Sequence, residues 1–519
     1  ECGAAQSGVA TAGVGGPQAH TRLADRQSRP RSAAVARRTR RRMTTPGAAA
    51  RIVSVAVPLP LDRHFSYAVP AEIEVPQIGC RVIVPFGRRT VTGVVVGRAS
   101  PDPGVGELKP ISRVLDEAPL FDHDHLELAS WVADTYLATV GEVLAAMLPN
   151  ARRGRELPLA GGDEPAANAA AITLSDEQRR AIEAITFPGE ADSESWFYLY
   201  GITGSGKTEV FLRLAERALA ADGGVIYLVP EIALTVQLFE QIRRRFGDRA
   251  AILHSGLTAA QRLGQWRRIA AGQARLVVGA RSAVFAPVQR LALVVVDEEH
   301  EASYKSSNTP RYHARQVAMW RARRVGAACV MGSATPSVES WHLMHEGRLR
   351  RLTLTRRLSG GALPQVDVVN LRGEKGLLSP RLITALEETH RTGAQSILFL
   401  NRRGFASAFL CRSCGSAAEC PRCSVAMTYH KSRGRLVCHY CGYTAAPPTI
   451  CPACGSLDVG FTGFGTERIE QDLRLALPTA TVARLDTDVT TKTGVLRDTL
   501  AAFAAGEIDV LLGTQMVAK

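Results

Sequence analysis

The sequence predicts an α/β protein with a parallel sheet around a phosphate-binding loop, a small β-rich N-terminal domain and a Cys-rich insert. A G-x-x-x-x-G-K-T motif occupies residues 201–208, between an apolar run and a helix-forming segment. From Leu174 onward apolar runs alternate with helical patterns, as is typical of a parallel sheet. Four C-x-x-C pairs then fall within residues 411–454.

The composition is that of a globular protein with three or four domains. The chain has 519 residues, of which 46% are hydrophobic and 22% charged. No segment approaches the roughly 18 uninterrupted apolar residues of a membrane span, so no membrane partner is predicted. The net charge is +14, but residues 1–42 supply +7 of it. The charge alone is therefore weak evidence for a polyanionic partner.

Residues 1–50 predict a disordered basic tail. Nine arginines stand among Gly and Ala in residues 1–42, without apolar periodicity or a signal-peptide core. Because the sequence does not begin with Met and Met43 follows the arginine run, we expect Met43 to be the true start. Cys2, Cys80 and Cys329 stand outside the cysteine cluster, and nothing suggests a secreted disulfide framework. A reducing, cytoplasmic location is predicted.

The remaining chain divides into predicted domains. Residues 51–148 form the N-terminal domain, with β-like runs at 51–57, 81–84 and 90–96 and helical residues at 122–148. Residues 149–171 form a linker, 172–360 a first α/β lobe, 361–410 the start of a second lobe, 411–454 the Cys-rich insert, and 455–519 an incomplete remainder of the second lobe. Strands are predicted at 196–200, 225–229, 251–253, 275–278, 291–296, 328–331, 396–400, 482–485 and 509–512.

The glycine-rich motif predicts nucleotide binding. Its glycines let successive backbone N–H groups face one concavity, Lys207 reaches the β- and γ-phosphates, and Thr208 offers its hydroxyl to Mg²⁺. A glycine-rich turn alone is usually only a turn, but the Lys-Thr ending and the strand–helix context favour ATP. The predicted nucleotide-binding residues are Gly201, Ile202, Thr203, Gly204, Ser205, Gly206, Lys207, Thr208 and Gln178. For the segment around Gln178, reading an adenine edge and helix capping by Ser175 remain equal and compatible alternatives.

An apolar strand ending in Asp-Glu-Glu-His predicts the hydrolytic residues. Asp297 would hold magnesium through water, and Glu298 would orient the attacking water. A strand that simply meets solvent is the alternative, but the position after the phosphate-binding loop favours catalysis. The predicted catalytic residues are Lys207, Thr208, Asp297, Glu298 and His300. Small hydroxylated residues at 332–336 suit a relay between nucleotide and polymer, or form a simple Ser/Thr turn.

Loops at the predicted strand ends suit a phosphodiester backbone. Thr235 and Ser282, with neighbouring amides at 229–235, 278–283 and 401–404, would hold phosphate oxygens. Residues 304–315 interleave aromatics with cations, which suits stacking on unpaired bases, although composition alone favours a solvated polar loop. The predicted DNA contacts in these segments are Thr235, Arg281, Ser282, Tyr304, Tyr312 and Arg315.

The cysteine insert predicts two structural zinc sites. Eight thiolates suffice for two closed, tetrahedral Zn²⁺ ions, and the spacing does not fix how the pairs combine. Redox activity of a C-x-x-C pair is the less favoured alternative. The predicted ligands are Cys411, Cys414, Cys420, Cys423, Cys438, Cys441, Cys451 and Cys454.

Together these motifs resemble the PriA family of superfamily-2 DNA helicases, from about residue 51 to the last residue. The resemblance rests on the eight cysteines and on GITGSGKTEV at 201–210, VPEIALT at 229–235, HSGL at 254–257, DEEH at 297–300, YHAR at 312–315, GSATP at 332–336, FLNRRGF at 399–405 and GTE at 465–467. It implies P-loop (RecA-like) helicase lobes and an ATP-driven 3′→5′ helicase that recognises stalled or branched forks and initiates primosome assembly. A fork-binding scaffold without a productive motor and an RNA helicase are the alternatives.

The resemblance also implies site residues and partners. An N-terminal pocket for the 3′ end of a DNA strand falls on Phe65, Ser66, Tyr67, Gly87 and Lys109, with Ser66 where some members carry an aspartate. The first and last cysteine pairs would share one zinc and the middle pairs the other. The implied partners are forked or single-stranded DNA, other primosome proteins, single-stranded DNA-binding protein and the replicative helicase loader, with a nucleoid-associated location.

The sequence departs from the family pattern in two places, and each departure leads to an expectation. The linker leaves no room for a winged-helix domain between the N-terminal domain and the first lobe. The chain also ends before the motif that supplies arginine fingers to the γ-phosphate. We therefore expect residues 43–519 to bind ATP and forked DNA but to hydrolyse and unwind poorly.

Overall fold

A computed structural model describes residues 51–100, 108–148, 173–187, 196–230, 236–254, 256–358, 364–371, 378–400, 407–411, 413–430, 434–438, 441–462, 466–485 and 495–514. The predicted tail, the predicted linker, Thr235 and residues 401–404 lie outside these ranges. Among the described helices, none combines the length and apolar character that a bilayer-spanning segment requires.

The first sheet is antiparallel and has five strands, hydrogen-bonded in the order β2-β1-β4-β3-β5. The edge strand β2 is hydrogen-bonded to the segment that leads into β5, the strand at the other edge. Ala68 N donates to Lys109 O (3.1 Å), and Ile111 N donates to Ala68 O (2.9 Å). The three predicted β-runs are confirmed as β1, β3 and β4, whereas the short β2 and β5 were not predicted. The strands are β1 Ile52–Ala56, β2 Phe65–Ala68, β3 Arg81–Phe86, β4 Arg89–Arg98 and β5 Arg113–Val114.

The predicted helical segment at 122–148 is confirmed but consists of two helices, α1 (His123–Tyr136) and α2 (Val140–Met147). The break follows from a capping box at the start of α2, which was not predicted. Glu142 N donates to Thr139 Oγ1 (3.2 Å), and Thr139 N donates to Glu142 Oε2 (2.9 Å). Gly141 lets α2 approach β1 closely, since a Cβ there would lie 1.8 Å from Val57 O.

These two helices join the N-terminal sheet to the next domain through one shared core. Trp266 Nε1 donates to Leu120 O (3.0 Å), and His125 Nε2 lies 3.1 Å from Phe285 O. The rings of Phe121 and Trp266 meet edge to face at 5.8 Å. Burying such aromatic area is strongly stabilising, so the N-terminal sheet is fixed on the first lobe.

The first lobe contains a parallel seven-stranded sheet in the order β12-β6-β11-β10-β7-β9-β8, with a buried core on each face. All six predicted strands of this lobe are confirmed. β12 was missed because it is an edge strand whose exposed Arg350 and Arg351 interrupt any apolar run. The elements are α3 Asp176–Glu183, β6 Trp196–Gly201, α4 Lys207–Ala220, β7 Gly224–Leu228, α5 Val236–Phe246, β8 Ala250–Leu253, α6 Ala259–Ala270, β9 Leu276–Gly279, β10 Leu291–Asp297, α7 Ala314–Val325, β11 Ala328–Ser333, α8 Val338–His345 and β12 Arg350–Leu354.

The second lobe has a parallel sheet in the order β13-β20-β19, which confirms its three predicted strands. The Cys-rich insert adds an antiparallel sheet in the order β17-β16-β15-β14-β18. The elements are α9 Pro380–Arg391, β13 Ser396–Phe399, β14 Ser407–Cys411, β15 Thr428–His430, β16 Arg435–Val437, β17 Thr444–Ala445, β18 Val459–Thr462, α10 Thr466–Ala476, β19 Val482–Leu485, α11 Val495–Ala504 and β20 Val510–Gly513. The domain boundaries given above stay predictions.

Candidate nucleotide, DNA and metal sites

The glycine-rich loop lies between the carboxyl end of β6 and the first turn of α4. Gly204 and Gly206 are left-handed, at φ +80° and +77°, and a Cβ on Gly206 would lie 2.4 Å from Gln178 Nε2. Lys207 Nζ donates to Gly201 O (2.9 Å), which places the ammonium inside the loop. Gly206 caps α4 without a side-chain hydrogen bond, so the first turn presents its amide N–H groups to an anion.

Neighbouring segments donate hydrogen bonds to the loop carbonyls. Gln178 Nε2 donates to Ser205 O (3.3 Å) and Gly206 O (3.2 Å), and Leu358 N donates to Gly204 O (3.0 Å). The Ser205 hydroxyl is buried and has no partner among the described residues. An unpartnered buried hydroxyl is costly, and a phosphate oxygen would satisfy it. The loop therefore fits a nucleotide phosphate.

Gln178 is fully buried, and both ends of its amide are engaged. Ser175 N donates to Gln178 Oε1 (2.8 Å), and Gln178 N donates to Ser175 Oγ (3.3 Å), so the capping role of Ser175 is confirmed. The adenine-reading role of Gln178 stays a prediction. In this structure its side chain holds the phosphate-binding loop.

Asp297 ends β10, two strands from β6 across the sheet. Tyr227 OH donates to Asp297 Oδ2 (3.0 Å), and Glu298 N donates to Asp297 Oδ1 (2.9 Å). Desolvation, and secondarily the charge of Glu298, raise the pKa of Asp297 to about 6. A divalent cation beside this carboxylate would favour its charged form, and carboxylate and hydroxyl oxygens such as those of Asp297 and Thr208 are the ligand type that Mg²⁺ takes.

A fully buried serine joins the acidic motif to the loop after β11. Ser333 Oγ donates to Glu298 Oε2 (3.1 Å), lies 2.6 Å from His300 Nδ1, and accepts from Thr335 N (3.1 Å). The motif at 332–336 predicts a relay, but Ser333 is not among the predicted site residues. We call the contacts of Ser333 with Glu298, His300 and Thr335 the Ser333 bridge.

Glu299 is the centre of a second, buried network that sequence reasoning missed. Its carboxylate pairs with Arg315, accepts from Ser337 Oγ (2.7 Å) and Ser340 Oγ (2.8 Å), and accepts from Tyr198 OH (3.2 Å). Burial alone would raise the pKa of Glu299, but the hydrogen bonds of Ser337 and Arg315 outweigh it and lower the pKa. Nothing in the sequence distinguishes Glu299 from its neighbour Glu298.

Three of the side chains predicted to contact DNA are buried in this structure. Tyr304 is fully buried and donates to Asp297 O (2.6 Å), while Tyr312 is 4% exposed and packs edge to face on Phe285 at 4.8 Å. Neither ring is available to stack on a base. Arg315 is also buried, in its ion pair with Glu299. The segment composition resembled a polar loop, but its aromatic rings anchor it to the core of the lobe.

Arg281 and Ser282 follow β9 and are half-buried. Arg281 Nη1 donates to Lys305 O (2.8 Å) and Ser303 O (3.2 Å), so its guanidinium braces the segment after the acidic motif. Their contacts with DNA stay predictions.

The eight predicted cysteine ligands form two clusters. In each, the four Sγ atoms lie within 4.8 Å of one another, and the members are Cys411, Cys414, Cys451 and Cys454, then Cys420, Cys423, Cys438 and Cys441. Sulfur pairs stand at 3.6–3.7 Å. Tetrahedral Zn–S bonds of about 2.3 Å place sulfurs roughly 3.8 Å apart, so the clusters fit zinc. The pairing implied by the family resemblance matches both clusters.

Comparison with known proteins agrees with this arrangement. Family models match a PriA 3′ DNA-binding domain at residues 54–149, a DEAD/DEAH box helicase at 175–342, and the PriA DNA helicase Cys-rich region at 420–445. The replication restart protein PriA of Treponema pallidum is 50% identical over 467 residues, which cover 89% of this chain and 70% of that protein. The chain belongs to the PriA family.

Two further PriA relatives show the same relationship. The replication restart protein PriA of Haemophilus influenzae is 34% identical and covers 90% of this chain and 74% of its own length. The Bacillus subtilis protein of the same name is 44% identical, over 67% of this chain and 44% of its own length. This PriA family member thus has a 3′ DNA-binding domain, a helicase domain and a Cys-rich zinc-binding region.

Three of the residues predicted for the 3′-end pocket lie on β2, whereas Gly87 follows β3 and Lys109 precedes β5. Phe65 meets Phe86 edge to face at 5.2 Å, next to the exposed Gly87. Tyr67 is buried, and its hydroxyl donates to Pro85 O (3.2 Å). The exposed Lys109 is held beside β2 through its carbonyl contact with Ala68. Alternation along β2 puts the exposed Ser66 on the face opposite Phe65 and Tyr67.

A ligand substitution tests the zinc clusters. Cys438→Ser removes one thiolate from a closed site, so we expect the zinc content to fall from about two ions per chain to about one. Metal content is measured by plasma mass spectrometry after dialysis against a mild chelator. Cys329→Ala removes a buried thiol outside the clusters and is expected to leave the zinc content unchanged. An unchanged content in Cys438→Ser would show that this cluster does not hold zinc.

Proposed function

We propose that this chain is an ATP-dependent 3′→5′ DNA helicase that recognises stalled or branched replication forks and initiates primosome assembly. The observation that carries the proposal is the Ser333 bridge. Ser333 Oγ donates to Glu298 Oε2 (3.1 Å) and accepts from Thr335 N (3.1 Å), which lies in the loop after β11, so one hydroxyl connects Glu298 to that loop. A contact made by that loop with DNA would therefore change the position of the carboxylate that orients water.

The nucleotide chemistry is assigned to the phosphate-binding loop and the acidic motif. Lys207 and the first-turn amides of α4 hold the β- and γ-phosphates. Thr208 and Asp297 would hold magnesium, which supplies charge neutralisation at the β- and γ-oxygens when bound. Glu298 orients the attacking water, and one of its carboxylate oxygens accepts a hydrogen bond from Ser333 Oγ.

DNA recognition is divided between the N-terminal sheet and the first lobe. The pocket around Phe65, Gly87 and Lys109 captures the 3′ end of a strand. Arg281 and Ser282 at the end of β9 lie at a phosphodiester backbone, positioning the strand without reading its sequence. The shared core of the two domains keeps these surfaces in a fixed relation.

The zinc insert is assigned a structural and recruiting role. Closed, all-cysteine sites leave no open coordination position for catalysis. We propose that protein partners assemble around this region and the N-terminal domain. The proposed partners are other primosome proteins, single-stranded DNA-binding protein and the loader of the replicative helicase. The proposed location is the nucleoid of the cytoplasm.

A fork-binding scaffold without productive helicase activity is the competing function. Steady-state ATP hydrolysis, measured with forked DNA, with duplex DNA and without DNA, separates the two. A motor, even one whose rate of hydrolysis is low, hydrolyses ATP faster with forked DNA than in either other condition. A scaffold binds forked DNA as a motor does, but its rate of ATP hydrolysis is the same low background with forked DNA, with duplex DNA and without DNA. That result would contradict the proposal.

A further inference from the structure

We propose that Arg357 contacts a phosphate of the bound nucleotide. Arg357 lies in the exit segment, residues 355–358, which directly follows β12 and leaves the first lobe. The inference rests on the proposed nucleotide site and adds a residue to it.

The exit segment is tied to the phosphate-binding loop and to α3 by hydrogen bonds. Thr355 N donates to Glu177 Oε2 (2.8 Å), and Thr355 Oγ1 donates to Glu177 Oε1 (2.6 Å). At the other end of the segment, Leu358 N donates to Gly204 O (3.0 Å). One end is therefore fixed by α3 and the other by the loop, and Arg357 lies between these two anchors.

Side chains of the segment also approach the loop glycines. The Cδ1 atom of Leu358 lies 2.6 Å from the position that a Cβ on Gly206 would take. Arg357 Cγ lies 4.0 Å from the corresponding position on Gly204. The stem of Arg357 thus lies beside the loop that holds the phosphates.

One donor of the Arg357 guanidinium lacks a hydrogen-bond partner among the described residues. This donor is Nε, which is buried. A buried donor without a partner costs free energy, and this cost is removed when an acceptor binds beside it. Since arginine is always charged and its planar fork matches phosphate oxygens, the ligand chemistry that fits is a nucleoside di- or triphosphate.

This contact would give the exit segment a direct link to nucleotide occupancy. Residues 364–371 and α9 follow it toward the second lobe. A nucleotide phosphate held by Lys207 on one side and Arg357 on the other would fix the start of that connection.

Equilibrium binding of ADP to the full chain, measured by titration calorimetry, tests the proposal. Arg357→Ala is expected to weaken ADP binding about tenfold or more, Arg357→Gln similarly, and Arg357→Lys less, because a charge-assisted hydrogen bond is lost. Arg356→Ala removes the exposed neighbouring arginine and is expected to bind ADP like wild type. Inorganic pyrophosphate, added as a competitor, should show the same loss in Arg357→Ala.

The outcomes separate this inference from the nucleotide site itself. Wild-type affinity in both Arg357→Ala and Arg357→Gln, with weakened binding in Lys207→Ala, would overturn the inference and leave the site standing. Wild-type affinity in Lys207→Ala as well would overturn the proposed function. A loss for ADP without a loss for pyrophosphate would contradict the phosphate assignment. A melting temperature measured without ligand shows whether each variant is folded.

Discussion

Lys207→Ala is expected to lower DNA-stimulated ATP hydrolysis by ~10²–10³-fold, because it removes a positioned charge from the phosphates during transfer. Lys207 is only 9% exposed, and its Nζ lies within the loop, 2.9 Å from Gly201 O. No flexible surface lysine could replace it from that position. A coupled assay of ADP release with saturating forked DNA measures the effect.

Arg213→Ala is a matched control for Lys207→Ala. Arg213 lies on the same helix, α4, beyond its first turn, and its guanidinium pairs with Glu209 and Glu216. Because the buried Glu209 keeps its ion pair with Arg245 in this variant, we expect a near wild-type rate. If Lys207→Ala kept the wild-type rate, the hydrolytic site would have to lie outside residues 201–208.

Arg315→Ala is expected to destabilise the first lobe by ~3–5 kcal/mol, because it leaves the buried Glu299 carboxylate without its cationic partner. Glu299 is 1% exposed, whereas the hydroxyls of Ser337 and Ser340 supply no compensating charge. Urea unfolding followed by tryptophan fluorescence measures the change. Arg324→Ala breaks an exposed pair with Glu127 and is expected to cost less than ~1 kcal/mol.

The destabilisation caused by Arg315→Ala is expected to decrease as the pH is lowered. The pKa of Glu299 is lowered in the folded protein, so its contribution is present at neutral pH and is lost as pH falls through the folded pKa. The difference in unfolding free energy between wild type and Arg315→Ala should therefore shrink toward acid pH. Glu299→Gln in the Arg315→Ala background should recover part of the loss, since no charge is then left buried. A loss that is the same at all pH values would contradict the ion-pair account.

Features encoded by local sequence were predictable. The loop at 201–208 needs only a strand, particular glycines and a helix in order, and the cysteine ligands need only their spacing. The strands of the first lobe were found because each is a continuous apolar run. β12 was missed because Arg350 and Arg351 interrupt its pattern, and its place is set by pairing with β6.

Features that depend on tertiary packing were not predictable. Tyr304, Tyr312 and Arg315 have the composition of a nucleic-acid surface, yet the core of the lobe and Glu299 hold them inside. The segment around Gln178 carried two compatible roles in the sequence, adenine reading by Gln178 and helix capping by Ser175. Only the position of Gln178 beside Ser205 and Gly206 shows that it also supports the loop. A polar side chain in a motif can therefore position a site as well as contact a ligand.

One ratio tests most directly whether the Ser333 bridge couples the nucleotide site to DNA. This ratio is the rate of ATP hydrolysis with saturating forked DNA divided by the rate without DNA. In Ser333→Ala the ratio is expected to fall toward one while the rate without DNA stays near that of wild type, because Glu298 loses its link to the loop after β11. A Ser333→Ala variant with the wild-type ratio would contradict the account.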